Sequence, residues 1–586
     1  MDRDQYSSWY EQGSGPAGQE PAFAEYTVPL GTLAPEDLDR RAGQTDPYAQ
    51  QTYQETEAEE EDWPEGVVGT SGYEIPESPA SGWSAAPSKR RFWIGRGLVA
   101  VVMLIQAALS LRLHNTADVD EATTLIVGKQ ELNHLLHGGV APGALVHQVS
   151  GAPALYPVLA DLATSLSGGL TGARLLSLLC ALAGTAVLYS LSRRLFNERV
   201  AICGAGAYAV VQSTVVLGFY ASSDAMAILL LALAGWVIVY TDRSRVAMVL
   251  LAAPIAALAV GTEYASALAL PALFLLAVLT RWPHRGLGGS LVRGALFAVG
   301  SGGLMVAAAT ATHALDGLSM SAISRHQGNA TAGSIISDAA EWGGVFLGVA
   351  LAGGIAYIIR ERMYEVVDAE HPPSSRAQRV LLVFALLLTA AIVPVYQAQL
   401  HSSAAMYRHI GIGLLFAAPL TGLGLTRLVG AHFRQPQLGI LVWVLMLALG
   451  VSQSEHRFQS WPDSSKLVSA LSAHVDSTGR YLTEVDVVPQ YYLDGKSSEN
   501  QWTSAADGLD FKGPKGVELH GTAGLEAAIN SGWFSMIVLD SSAPAAEHTA
   551  LGKALDKAGK HYLLSATIPY RGSTGTQQSY EVYLAR

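Results

Sequence analysis

Membrane-length apolar runs recur along most of this chain, and hydrocarbon admits only folds whose backbone satisfies its own hydrogen bonds. At the roughly 17–22 residues needed to cross about 30 Å of hydrocarbon, eleven candidate runs lie near 93–113, 173–193, 199–219, 223–241, 246–262, 263–281, 291–311, 343–360, 379–397, 409–428 and 437–453. The fifth and sixth form one stretch interrupted only by Gly261-Thr262-Glu263. Half of the 586 residues are hydrophobic, 15% are charged and the mean hydropathy is +0.27. Such values require many buried or lipid-facing segments rather than one soluble core. The expected class is an α-helical polytopic membrane protein.

The net charge of −12 is local. Residues 1–88 hold 18 Asp and Glu against 3 Lys and Arg, a balance of −15 that leaves the remainder near +3. This tail is rich in Gly, Pro, Ser, Gln and Glu; it cannot bury enough apolar surface to offset its chain entropy and is expected to be disordered. Its scattered aromatics, Trp9, Tyr26 and Trp63 among them, are either docking points for a partner or plain solvated side chains. The first apolar run begins past residue 90 and is membrane-length, so it is expected to stay as an anchor and not to be removed as a signal peptide. Cys180 and Cys203 fall inside apolar runs, where a thiol behaves as a small hydrophobe.

Charge orients the runs. Basic clusters occur at Lys89-Arg90-Arg91, Arg193-Arg194 with Arg199, Arg243 with Arg245, Arg281 with Arg285 and Arg293, Arg360 with Arg362, and Arg427 with Arg434. With eleven spans all of them fall on one side, the expected cytoplasmic face, together with the tail. The opposite face then carries residues 114–172, a turn near Tyr220 to Asp224, the loop His313 to Trp342, the loop Gln397 to Arg408 and everything from about Ser454. That last segment reads as a small extracytoplasmic α/β domain. Strand-like runs lie at Tyr481–Val488, Phe534–Leu539, His561–Ile568 and Tyr580–Leu584, and helix-like stretches near 463–474 and 521–531. The expected division is a tail 1–88, a transmembrane domain 89–453 and an outer domain 454–586, in the plasma membrane.

The residues that point to chemistry are Asp118-Val119-Asp120-Glu121-Ala122, just after the first run. Carboxylates are costly in hydrocarbon, and a cluster at the mouth of a span suggests reaction at the membrane surface. Asp120 opens an amphipathic stretch in which Leu125, Leu132, Leu135 and Leu136 recur near helical spacing, as in a helix lying at the outer interface. On residue type alone the acids fit helix capping equally well. Asp224, at the outer turn before the fourth run, is likewise either a site residue or an N-cap. Tyr407-Arg408-His409 opens the tenth run; Arg408 there is either a phosphate contact, since Arg forks onto phosphate oxygens, or a snorkelling cation. Arg325-His326 is a weaker alternative.

In order, the chain presents the acidic pair, Gly151-Ala152-Pro153-Ala154-Leu155-Tyr156-Pro157, Ala173-Arg174-Leu175-Leu176-Ser177 opening the second run and Leu191-Ser192-Arg193-Arg194-Leu195-Phe196 closing it. In that ordered set it resembles the GT-C glycosyltransferases, and within them the family of protein O-mannosyltransferases and lipid A aminoarabinose transferases, over about 93–430. It departs from the pattern after the fifth run, where relatives often carry Lys and this chain has Glu263-Tyr264.

The resemblance implies a GT-C-like fold and a glycosyltransferase that moves a sugar from a polyprenyl-phosphate donor to a lipid, glycan or protein acceptor on the outer face. It implies Asp120 as general base, with Glu121 orienting the acceptor or holding a metal and Asp118 third. Arg408, His409 and Asp224 would serve the donor. A divalent metal is compatible but not required, because Arg or Lys alone can neutralise a phosphate leaving group. No nucleic-acid partner is expected. The alternative function is a transporter or flippase, which would place ionisable groups at mid-membrane and often shows internal repeats; here the acids gather at span ends. A non-catalytic scaffold is the third class.

Overall fold

The structure, a computed structural model, describes residues 89–138, 144–311, 330–359, 375–403, 405–430, 436–485, 487–513, 516–572 and 576–586. They belong to one compact unit, Pro79–Arg586. The expectations for the tail 1–88 and for Arg325-His326 lie outside the described residues.

Eight described helices are long and apolar enough to cross a membrane: α1 (Lys89–Ser110), α4 (Leu170–Leu195), α7 (Ser223–Tyr240), α10 (Trp282–Ala311), α11 (Ala332–Ile359), α12 (Arg376–Gln399), α13 (Met406–Val429) and α14 (Pro436–Phe458). Between α1 and α4 lie α2 (Val119–His137) and α3 (Tyr156–Ser167). Three of the expected runs are not single long helices. The third is split into α5 (Glu198–Tyr208) and α6 (Gln212–Leu217), with Val211 extended at φ −70, ψ 145; β-branched Val210-Val211 followed by Ser213-Thr214 is a weak helix former. Residues Val246–Leu251 and Tyr264–Ala269 are 3-10 turns that lead into α8 (Ala252–Thr262) and α9 (Leu270–Leu279). The break between these two falls at Glu263, extended at φ −145, ψ 115.

Side-chain pairings show which ends meet. A methyl on Gly95 would strike Glu198, and one on Gly218 would strike Ser110, so α1 and the α5–α6 pair run side by side over their whole length. At one end of the bundle Arg194 approaches Asp242 at 3.3 Å and Arg281 donates to the Asp242 and Ser244 carbonyls at 3.0 and 2.7 Å. At the other end Arg174 reaches the loop after α1, donating to the Asn115 carbonyl at 2.9 Å. The basic clusters among the described residues and the acidic patch therefore occupy opposite ends.

Helix α13 is the bundle's centre, buried almost continuously from Met406 to Leu425 and packed on α11, α5 and α12. Small residues permit that proximity: a Cβ on Gly422 would lie 2.1 Å from the Val200 carbonyl, and one on Gly424 2.3 Å from that of Val349. Such close backbone approach is how helices gain packing where lipid offers no hydrophobic drive.

Past α14, a short α15 (Ser465–Leu471) leads into a five-stranded sheet. Its strands are β1 (Tyr481–Thr483), β2 (Trp502–Ser504), β5 (Met536–Asp540), β6 (Tyr562–Arg571) and β7 (Gln577–Ala585), in the order β2-β1-β5-β7-β6. A two-stranded ribbon, β3 (Phe511–Lys512) and β4 (Glu518–Leu519), stands apart. The first three sheet strands are parallel and the β5–β7–β6 edge is antiparallel. Helices α16 (Val488–Leu493), α17 (Gly521–Ser531) and α18 (Ala545–Lys557) complete the domain. Its fully buried β5, Met-Ile-Val-Leu-Asp, has core on both faces, as expected of a central strand.

The interfacial-helix expectation for α2 needs correction. Residues Glu121 to Gly128 are buried, packed against α3 and against α16 of the sheet domain. Only the later turns, with Leu135 and Leu136, are exposed. The short apolar positions of the first half, Ala122, Ile126 and Val127, serve a protein interface with Val487 and Val488.

Candidate active site

The site assembles at the end of the bundle marked by Arg174, from several separate chain segments. Asp118 is the N-cap of α2, with extended φ −74, ψ 162. Its Oδ1 accepts the Val119 N–H at 2.7 Å, and Glu121 reaches back to accept the Asp118 N–H at 3.0 Å, a capping box. The other Asp118 oxygen accepts the Tyr220 hydroxyl at 2.7 Å, with Arg457 at 3.8 Å. Burial, then the nearby charge of Asp120, raises the Asp118 pKa above its usual value. Burial and the Asp118 charge push the Tyr220 hydroxyl well up, so it stays a donor.

Glu121 is fully buried. Arg174 holds it in a two-pronged ion pair, Nε to Oε1 at 2.9 Å and Nη2 to Oε2 at 2.6 Å, and the Ala221 N–H adds a bond to Oε1 at 2.8 Å. With the Asp118 N–H, both oxygens accept twice. A carboxylate so occupied has no lone pair left to orient an acceptor or hold a metal. The geometry gives Glu121 a positioning role, tying α2, α4 and the Tyr220 turn together.

Asp120 is the member of the patch that faces outward, its side chain 47% exposed. Arg408 Nη1 lies 2.8 Å from its Oδ2 and 3.8 Å from Asp224 Oδ2. Asp224, at the start of α7, is buried; Oδ2 accepts the Ser222 hydroxyl at 2.9 Å and Oδ1 has no hydrogen-bond partner. It thus faces Arg408 as a charge partner and does not act as a satisfied N-cap, for no side-chain cap bond is made at that helix start.

Glu263 and His409 form a deeper layer. Glu263 accepts the hydroxyls of Ser150 at 2.5 Å and Ser223 at 2.8 Å, and His409 Nε2 stands 3.9 Å away. Gln397 lies 2.8 Å from His409 Nδ1. Ser150 is delivered by the Gly-Ala-Pro loop: Gly151, at φ +94, lets the backbone pass so close to Thr262 that a Cβ would sit 2.1 Å from its carbonyl.

All six sequence-derived residues, Asp118, Asp120, Glu121, Asp224, Arg408 and His409, thus gather in one place, and Glu263, noted only as a departure, joins them. Sequence reasoning missed Arg457. It donates to the Tyr407 hydroxyl at 2.8 Å and lies 3.9 Å over that ring. Its signal was available: like Arg408, it is a cation on the face that the positive-inside bias leaves poor in Arg. Among the described residues, no group of three or more His, Cys, Asp and Glu converges as a metal cage.

A family model described as dolichyl-phosphate-mannose-protein mannosyltransferase matches residues 152–299. No curated protein matches the chain. Among solved structures, ArnT from Cupriavidus metallidurans, in the apo state and bound to undecaprenyl phosphate, aligns with a TM-score of 0.52 at 13% identity, over 84% of this chain and 98% of that one. The oligosaccharyltransferase of Archaeoglobus fulgidus aligns with a TM-score of 0.48 at 13% identity, over 83% of this chain and 75% of that one. The likeness to ArnT is one of fold.

Proposed function

We infer that this chain, a multi-pass membrane protein of the GT-C glycosyltransferase type, moves a sugar from a polyprenyl-phosphate donor to an acceptor at the outer face of the plasma membrane. The observation that carries the reading is the Asp120–Arg408 pair, an exposed carboxylate and a cation at the mouth of the bundle. Transport would need ionisable groups along a mid-membrane path, whereas the charged groups here stand at the bundle's ends.

The donor phosphate takes the Arg408 fork, with Arg457 beside it, since guanidinium pairs with phosphate oxygens as well as with carboxylate. That exchange releases Asp120. The freed carboxylate removes the proton of the acceptor hydroxyl as its oxygen attacks the anomeric carbon; the bond from that carbon to phosphate breaks, and polyprenyl phosphate leaves as the anion paired to Arg408. Asp224 and the Glu263–His409 layer hold Arg408 and its neighbour in place.

An apolar groove of about 600 Å³ between α9 and α10, lined by Leu270, Phe274, Phe297 and Met305, suits the hydrocarbon of the donor. It begins near Ala267, four residues past Glu263. The test is to incubate the purified protein in lipid with radiolabelled polyprenyl-phosphate sugars and a cell-envelope extract that supplies acceptors. Consumption of one of them by wild type and not by Asp120→Asn is expected; consumption of none would refute the reading.

A further inference from the structure

A second cavity lies outside the membrane bundle. Between the sheet domain and the start of α2 is a cleft of about 600 Å³, within the roughly 300–1,000 Å³ of small-molecule sites. Its walls include Asp118, Trp461, Glu484, Asp540, Tyr570 and Tyr580. The Glu484 carboxylate is the informative group. Its side chain is only 2% exposed, yet it spends both protein bonds on one oxygen: Oε2 accepts the Asp540 N–H at 2.7 Å and faces His548 Nδ1 at 2.9 Å. The other oxygen, Oε1, is buried without a partner.

A buried acceptor left unsatisfied calls for a donor from outside the chain. Among the described residues no Lys, Arg or His lines the cleft, so an anionic ligand finds no cation there; the acidic residues of the wall are Asp118, Glu484 and Asp540, of which Glu484 keeps an oxygen without a protein partner. Aromatic surface stands beside them: Tyr570 is half-buried and stacks on Tyr580 at 4.2 Å. An unfilled carboxylate oxygen next to flat apolar faces matches a sugar ring, whose hydroxyls donate at the edge and whose carbon-bound hydrogens cover a face. We propose that this cleft is a carbohydrate-binding site that holds a sugar of the acceptor, so that the acceptor is itself a glycan or glycoconjugate. Its wall includes Asp118 and Val119, the two residues that precede Asp120 in the chain, and in this proposal the rest of the acceptor runs from the cleft toward Asp120. The inference rests on the glycosyltransferase reading.

The test uses the full-length protein in nanodiscs and a neutral trisaccharide, maltotriose, followed by saturation-transfer NMR, with polyprenyl-phosphate binding and donor consumption measured on the same samples. Wild type and Asp120→Asn should both bind the sugar. Glu484→Gln, which loses a charge-assisted acceptor, should bind about tenfold more weakly. Ala506→Phe, at an exposed position on the cleft wall, should abolish saturation transfer without touching a buried group. Donor-lipid binding should be unchanged in both. Absence of binding in wild type, equal binding in all variants, binding only of a lysine peptide, or displacement of maltotriose by the donor's own sugar would each overturn the proposal. If the sugar binds but no donor lipid is consumed, the glycosyltransferase reading fails instead.

Discussion

Arg408 places one guanidinium nitrogen 2.8 Å from the exposed carboxylate of Asp120 and 3.8 Å from the buried one of Asp224. One cation is shared between an acid that solvent reaches and an acid that it does not. Phosphate can replace the first far more readily than the second, because the outer pair lies in high dielectric and the inner carboxylate would be left buried without its counter-charge.

Asp120→Asn keeps the shape and removes the proton acceptor. Transfer should fall by about 10²–10⁴-fold, the usual scale for losing a general base, while donor-lipid binding persists. Single-turnover transfer alongside equilibrium lipid binding checks both halves; equal, mild losses at Asp118, Asp120 and Glu121 would leave capping as the sole role of the patch.

Arg408→Lys keeps the charge and loses the fork. The donor KM should rise roughly tenfold, since a point charge cannot pair two phosphate oxygens at once. Steady-state kinetics with varied donor lipid is the measurement, and an unchanged KM would remove Arg408 from the donor site.

Arg174→Met leaves Glu121 buried without its partner. Breaking such a pair typically costs about 3–5 kcal/mol, so the melting temperature in detergent should drop sharply. Adding Glu121→Gln to that variant should recover part of the loss, because the amide oxygen still accepts one backbone N–H and the stranded charge is gone.

Asp118 carries a raised pKa, from burial first and Asp120 second. A carboxyl whose folded pKa is raised contributes stability that is complete below its unfolded value, near 3.8, and is lost as pH climbs through the folded value. Asp118→Asn should therefore gain on wild type at neutral pH, with the gap in melting temperature closing as pH falls toward 4. Thermal scans across pH 4–8 would show it, and a gap that widens on acidification would contradict the assignment.

The first described helix starts at the bundle end that carries Arg194 and Arg281, and α14 finishes at the end that carries Asp118 and Arg408. Reporters fused at residues 60 and 500 should consequently lie on opposite sides of the membrane, the first cytoplasmic. Detection of both on one side would overturn the orientation.

Most of the apolar runs, the basic clusters between them and the strands β5, β6 and β7 of the sheet domain were legible from the chain alone, because span length, charge bias and strand period are local properties; the expected strand Tyr481–Val488 is a strand only over Tyr481–Thr483, and Val488 opens α16. The six residues proposed for the site could likewise be picked out as ionisable groups at span ends, and the fold brings them together. Their division of labour was not local. Asp120 and Glu121 are adjacent acids with identical sequence context, and only the arrival of Arg174 from α4 and the Ala221 N–H from a turn a hundred residues away saturates one while the other meets Arg408. The cleft at Glu484 likewise exists only because the sheet domain docks on α2. Sequence determined which groups are chemically able to act; long-range contacts decided which oxygens remain free to do so.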